Sequence, residues 1–317
     1  MNISIPFFIL IGIPGLEDFH IWFAFPWSIV YIITVSANLA VLFFIKREAS
    51  LHQPMYLLLC MLLFTDLVSS NASLPKMLLL FWFNAREISY EGCLIQMFII
   101  HSFANMGSAV LLAMAFDRYV AICHPLRYIT ILTHQVIAKI GVMVVLRGVL
   151  FVLPYPLLIR RLPFCRSNVI VQAYCEHMAV AKLACTDVTV NFLYGLSAVL
   201  TVVGLDVLFI ILSYLMIVKT VLTLPSKEAR SKAFNTCVSH ICVISILYFP
   251  AFFSIITNRY STKIALHIQI LLSNIYLVLP PMLNPIVYGI NTKVIRVKML
   301  AFFQLECEED LQLSRGL

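Results

Sequence analysis

Ionisable residues inside long apolar stretches are the first feature of this sequence that could do chemistry. They are Asp66, Asp117, Arg118, Arg147 and Asp206. A charge inside a hydrocarbon layer is costly, so each such residue indicates a function or a specific partner. Asp117-Arg118-Tyr119 closes the third apolar stretch, where an arginine either reaches the membrane interface or pairs within a helical bundle as part of a two-state lock.

Other residues could act in conformational change and in ligand binding. Asn284-Pro285-x-x-Tyr288 places a proline where it frees backbone groups that neighbours must satisfy, although a tolerated kink is the alternative. The planar cation of Arg259 suits a carboxylate, but an arginine at a span end can also keep its head group in water. His101 could donate to a carboxylate or be a packed histidine.

Membrane-spanning helices are the elements that must position these residues. Of 317 residues, 62% are hydrophobic and 12% are charged, and the mean hydropathy is +0.97. Soluble domains carry about a quarter charged residues, and a helix of ~18 or more apolar residues can cross a membrane. The pattern predicts an all-α seven-transmembrane helical bundle, with spans at roughly 22–46, 55–82, 92–122, 135–158, 191–220, 233–256 and 264–290.

The chain is therefore expected to contain three parts. Residues 1–21 are predicted to be an extracellular tail, 22–290 the seven-span domain, and 291–317 a cytoplasmic segment that begins with a short amphipathic helix. No basic leader or cleavage site precedes the first apolar stretch, which indicates a retained span. Lysine and arginine are more frequent on the side assigned to the cytoplasm. They form small clusters and no continuous patch, which argues against a nucleic-acid partner.

Two kinds of residue agree with an outer amino terminus. Asn2-Ile3-Ser4 matches an N-glycosylation acceptor in the predicted outer tail. Four cysteines are also predicted to lie outside, where disulfides persist, and they are Cys93, Cys165, Cys175 and Cys185. Four cysteines allow three pairings, and the sequence alone does not choose among them.

The motifs taken together resemble the rhodopsin-like G-protein-coupled receptors over essentially the whole chain. Finer strings are similar to the olfactory receptor family, and these are LHQPMY at 51–56, MAFDRYVAIC at 114–123, SY at 213–214, KAFNTC at 232–237 and PMLNP at 281–285. IGIPGLE at 11–17, HPLR at 124–127 and YCEH at 174–177 resemble the class I, fish-like branch, subfamilies 51 and 52.

The resemblance implies a receptor in the plasma membrane that an odorant activates and that raises cyclic AMP through a stimulatory olfactory-type G protein. It implies the disulfides Cys93–Cys175 and Cys165–Cys185. At rest Arg118 would be held near Asp117, and an agonist would swing the sixth span outward. The expected activation residues are Asp117, Arg118, Tyr119, Tyr214, Tyr248, Asn284, Pro285 and Tyr288.

A ligand pocket is expected between the outer halves of the third, fifth and sixth spans. Similar class I receptors use the arginine that matches Arg259 to hold acids. The expected ligand-binding residues are Arg259, His101, Asn105, Met178, Phe252 and Ile255. Because Ile255 and Met178 replace polar residues of a related receptor for short acids, we predict a carboxylic acid of medium chain length. No cofactor is expected.

One departure from the family concerns Asp66. The family carries an acidic residue 11 positions before the arginine of the Asp-Arg-Tyr motif, and here that position is Gly107. Asp66 therefore lacks its usual partner for a sodium or proton site and is at most a remnant of one. An altered basal activity, or a weakly functional receptor, would be the consequence.

Three other classes fit the sequence less well. A transporter or channel would need a continuous path of polar groups or inverted repeats. An enzyme would need a cluster of acids or metal ligands at one depth, and no such motif is present in the sequence. A receptor for amines would place an acid on the upper third span, but positions 97–108 hold no Asp or Glu.

Overall fold

The computed structural model describes residues 6–165, 167–260, 265–292 and 294–297, without the side chains of 232, 236, 255–260 and 291. Seven of its helices are long and apolar enough to cross a membrane, which confirms the predicted bundle. They are α1 (His20–Arg47), α2 (Pro54–Phe83), α3 (Tyr90–Cys123), α4 (His134–Val152, continued by Pro154–Arg160), α5 (Thr189–Ala198, a π-helical segment Val199–Val203 and Gly204–Leu222), α6 (Lys227–Tyr260) and α7 (Leu266–Asn291).

Local sequence signals fix several of the helix ends. The hydroxyl of Ser89 accepts a hydrogen bond from the backbone N–H of Gly92 and caps α3. Pro54 occupies the first turn of α2, where its missing N–H costs nothing. The helix α6 begins at Lys227, six residues before the predicted start at 233. Hydropathy identifies only the part of a helix that lies in the hydrocarbon layer, so it does not predict a polar extension of that helix into water.

A small β-sheet covers one end of the bundle. The strand β1 (Phe7–Leu10) pairs antiparallel with β2 (Glu87–Ser89) and parallel with β3 (Val169–Ile170), so β1 lies in the middle. Residues 1–21 were expected to form a tail, but their described part includes this central strand. The sheet unites the amino-terminal segment with the α2–α3 and α4–α5 connections.

Close packing brings α3 against α4, while much of the outer surface is apolar. A Cβ atom on Gly148 would lie 2.4 Å from Cγ of Met106 and 3.1 Å from the carbonyl oxygen of Ser102. Glycine is therefore needed for this helix contact.

Large apolar side chains such as Trp22 and Phe249 are 70% and 76% exposed, as expected for a surface that faces lipid.

The predicted helix after α7 is described only at its start. Residues 294–297 form a helical turn in which Ile295 is buried and Arg296 is exposed. The remainder of the predicted amphipathic segment lies outside the described residues.

Candidate functional site

The Asp-Arg-Tyr motif lies at the end of α3 that is remote from the sheet, called here the far end. Asp117 and Arg118 are buried and form an ion pair of 3.7 Å between Oδ2 and Nη2. Asp117 also accepts a hydrogen bond of 2.7 Å from the hydroxyl of Tyr128, which follows α3. Burial, and then the charge of Asp117, raise the pKa of Tyr128, so this hydroxyl keeps its proton. The third motif residue, Tyr119, instead contacts His124.

Three further side chains come together at the far end. The hydroxyl of Tyr214 on α5 lies 2.8 Å from Nδ1 of His240 on α6. The hydroxyl of Tyr288 on α7 reaches Sδ of Met114 at 3.9 Å. His240 is 1% exposed, and its Nε2 has no partner among the described residues. The predicted set omits His240, because His101 was the one histidine within a span that the prediction considered. A second histidine, in the sixth apolar stretch, was the available signal.

Asp66 is tied to the motif of the seventh span. Its Oδ2 accepts a hydrogen bond of 2.9 Å from Nδ2 of Asn284, which precedes Pro285 inside α7. A Cβ atom on Gly107 would meet Oγ1 of Thr65 at 3.5 Å, an ordinary contact. Crowding at this first atom therefore does not exclude a side chain at position 107.

A buried polar network joins four helices in the middle of the bundle. Arg147 of α4 donates two hydrogen bonds to the carboxylate of Asp206 on α5, one of them 2.7 Å long. Ser108 of α3 donates to the same carboxylate, and its hydroxyl lies 2.7 Å from that of Tyr248 on α6. The sequence marked both charged residues as needing a partner, and the structure shows that each is the partner of the other.

A cavity of about 110 Å³, here called the deep cavity, opens directly above this network. Apolar residues of α5 and α6 form much of its wall, and its polar lining includes His101, Asn105, Ser108 and Tyr248. Nε2 of His101 and Oδ1 of Asn105 are buried and have no hydrogen-bond partner among the described residues. Buried polar atoms normally have partners, so this pair indicates a place for a polar ligand or water.

A second cavity of about 420 Å³, here called the loop cavity, lies beneath the α4–α5 connection. Its lining includes Gln172, Glu176, Met178 and Lys182 from that connection. The two cavities share part of their lining, namely His101, Tyr155, Val199 and Tyr276. The two cavities are therefore neighbours, and these four side chains lie where they meet.

The connection over the loop cavity is fastened at several points. Disulfides join Cys93 to Cys175 and Cys165 to Cys185, the pairs implied by the resemblance. The ring of Tyr155 stacks on His177 at 4.5 Å between centroids. The carbonyl oxygen of Gln172, which lines the cavity, accepts a backbone hydrogen bond from the N–H of Gly12, and β1 pairs with β3 beside it. These contacts hold the α4–α5 connection in place over the loop cavity.

The structure places only some of the expected ligand-binding residues in a cavity. His101 and Asn105 line the deep cavity, and Met178 lines the loop cavity. Phe252 is 67% exposed and lines neither described cavity, so its prediction was wrong. Its spacing was counted from Arg259, whereas the residues of α6 that face the cavities are Leu247, Tyr248, Ala251 and Ser254. The side chains of Ile255 and Arg259, and all of Asn2, lie outside the described residues.

Comparison with known proteins covers nearly the whole chain. The family model described as Olfactory receptor matches residues 27–305. The chain is 52% identical to olfactory receptor 51E2 of Homo sapiens, over 98% of this chain and 97% of that protein. It is 55% identical to olfactory receptor 52P1 of Homo sapiens, over 94% of this chain and 92% of that protein. Both relatives come from the subfamilies suggested by the sequence motifs.

Proposed function

The chain belongs to the olfactory receptor family of odorant-sensing G-protein-coupled receptors, and we propose that its ligands are carboxylic acids of medium chain length. It is a multi-pass membrane receptor and not an enzyme, and its partners are odorants and a heterotrimeric G protein. The acid class, the stimulatory type of G protein and the rise in cyclic AMP are parts of the proposal.

The observation that carries the acid assignment is the pair of unpartnered polar atoms in the deep cavity. Nε2 of His101 can donate a hydrogen bond in one tautomer, and Oδ1 of Asn105 can accept one. An acid head group near His101 would satisfy the first, while Val199, Val202 and Leu247 offer an apolar wall to an aliphatic tail. Arg259 enters the proposal on the resemblance alone.

The orientation in the membrane is proposed from the cysteines. Cys93 lies in the first turn of α3, directly after β2, and the other three disulfide cysteines lie in the α4–α5 connection that carries β3. The strand β1 of the amino-terminal segment pairs with both β2 and β3. Disulfides persist in oxidising compartments. These contacts support an extracellular amino terminus and, after seven crossings, a cytoplasmic carboxyl terminus.

Signal transfer is proposed to run through α6. Tyr248 lines the deep cavity and contacts Ser108, and His240 on the same helix contacts Tyr214 near the far end. A ligand shifts the equilibrium only if it binds one position of α6 better than another. Release of Arg118 from Asp117 would then open the far end to a stimulatory G protein.

The test is cyclic AMP accumulation in cells that carry the chain and an olfactory-type stimulatory G protein, across saturated C2–C12 acids. Arg259→Ala and His101→Phe should each weaken the response about 10- to 100-fold, the usual cost of losing a charge-assisted hydrogen bond. Phe252→Ala, which removes an exposed side chain of the same helix, is the control at matched surface level. A wild-type receptor that is silent to every acid would overturn the acid class.

A further inference from the structure

The loop cavity contains charged side chains that the proposed function has not used. Glu176 and Lys182 flank the short helix His177–Ala181 in its roof, and both line the cavity. Within the described lining of the two cavities, Lys182 is the only lysine or arginine. An anionic ligand in the loop cavity would therefore meet one described lysine side chain.

The two charges are not equally available to a ligand. Oε2 of Glu176 accepts a hydrogen bond of 2.6 Å from the backbone N–H of Ala179 and caps the short helix. Lys182 uses its backbone N–H in a bond to the carbonyl of Met178, but its side chain is exposed. No described carboxylate lies within ion-pair distance of its ammonium group; the described pairs are Asp117–Arg118, Arg147–Asp206 and Glu91–Arg160.

We propose that Lys182 is a recognition residue for the carboxylate of acid ligands as they occupy the loop cavity. This inference rests on the proposed function and adds a binding step to it. The acid first meets Lys182 under the α4–α5 connection and then advances past Tyr155 and His101, which line both cavities. Lys182 thus favours anions over neutral molecules of the same length.

Lys182 is exposed to water and also lines the loop cavity, so its positive charge lies at the edge of a cleft. A cleft with low-dielectric walls concentrates the field of a charge at its rim, which raises the local concentration of oppositely charged ligands. The lysine ammonium acts as a point charge on a flexible stem, so it can follow a moving carboxylate without fixed geometry. Because Lys182 is exposed to water, its effect on potency is modest, about 2- to 5-fold.

The experiment compares acids with their methyl esters, which keep the chain and lose the charge. Concentration–response curves for cyclic AMP are measured on wild type, Lys182→Gln and Lys182→Arg at matched surface level. Arg161→Gln is the control, because it removes one positive charge from the same α4–α5 connection at a residue outside the described lining of both cavities.

Lys182→Gln should raise the half-maximal concentration for acids about 2- to 5-fold and leave any ester response unchanged. Lys182→Arg and Arg161→Gln should stay close to wild type. Equal weakening of acids and esters would show a structural role and overturn the proposal. Unchanged acid responses in Lys182→Gln would overturn the role of Lys182 alone, whereas a wild type silent to all acids would overturn the acid assignment beneath it.

Discussion

Two arginine–aspartate pairs lie in different regions of this receptor, and they are built in opposite ways. At the far end, Asp117 and Arg118 are neighbours in the sequence and lie 3.7 Å apart. In the middle, Arg147 and Asp206 come from different helices and share two hydrogen bonds. The first pair is loose enough to separate, whereas the second fastens α4 to α5.

The difference shows that a buried ion pair can either allow a conformational change or hold two helices in place. Two desolvated charges gain little net stability, but removing one of them leaves the other uncompensated at high cost. The Arg147–Asp206 pair also holds Ser108, so any large movement there would break several bonds at once. Arg118 can leave Asp117 for another partner by breaking one contact of 3.7 Å.

The largest effect is expected from Asp206→Ala, which would leave Arg147 without its carboxylate. A loss of about 3–5 kcal/mol in the free energy of unfolding should sharply reduce surface expression, measured by antibody staining of intact cells. The double variant Arg147→Met with Asp206→Leu should recover most of the expression. Normal expression of Asp206→Ala would show that the Arg147–Asp206 pair does not stabilise the packing of α4 against α5.

The position of α4 gives the second test of the fastened region. Gly148→Ala would force Cβ against Met106 and the backbone of Ser102. Overpacking of this kind costs about 1–3 kcal/mol, so the thermal midpoint of the detergent-solubilised receptor should fall. Gly204→Ala is the control, because its Cβ would meet no atom within 4 Å. Equal midpoints for the two variants would contradict the tight α3–α4 contact.

Asp117→Asn tests the looser pair. Removing the carboxylate charge should release Arg118 from its 3.7 Å contact, and each ~1 kcal/mol of lost restraint changes a two-state population roughly fivefold. We expect basal cyclic AMP to rise severalfold while surface expression changes little. A fall in expression as deep as that of Asp206→Ala would mean that the two pairs have the same structural role.

Tyr128→Phe should have the smallest effect, because Asp117 keeps Arg118 after losing this hydrogen bond. We expect a rise in basal signalling that is smaller than the roughly fivefold change expected of Asp117→Asn, because the carboxylate charge that holds Arg118 remains. The raised pKa of Tyr128 means that the phenol stays protonated from pH 6.5 to 9, so wild type and variant should differ equally at both ends. A difference that changes between pH 6.5 and pH 9 would show that the phenol ionises.

Sequence reasoning recovered the elements better than the contacts between them. Hydropathy gave seven spans because the membrane imposes a minimum length on each one. Arg147 and Asp206 were recognised as costly, yet their pairing depends on how α4 and α5 rotate toward each other, which no local pattern encodes. Phe252 failed for the same reason, since helical spacing ranks residues around α6 without saying which face points inward.

The central position of β1 has a consequence for how the protein is made. Ile9 is synthesised early but pairs with Val169, 160 residues later in the chain. At about 5–20 residues per second, the ribosome needs roughly 8 to 32 seconds to supply that partner. One edge of β1 can pair with β2 once Glu87–Ser89 has been made, but its other edge must wait until α4 and β3 follow, so the cap over the loop cavity is completed late in biosynthesis.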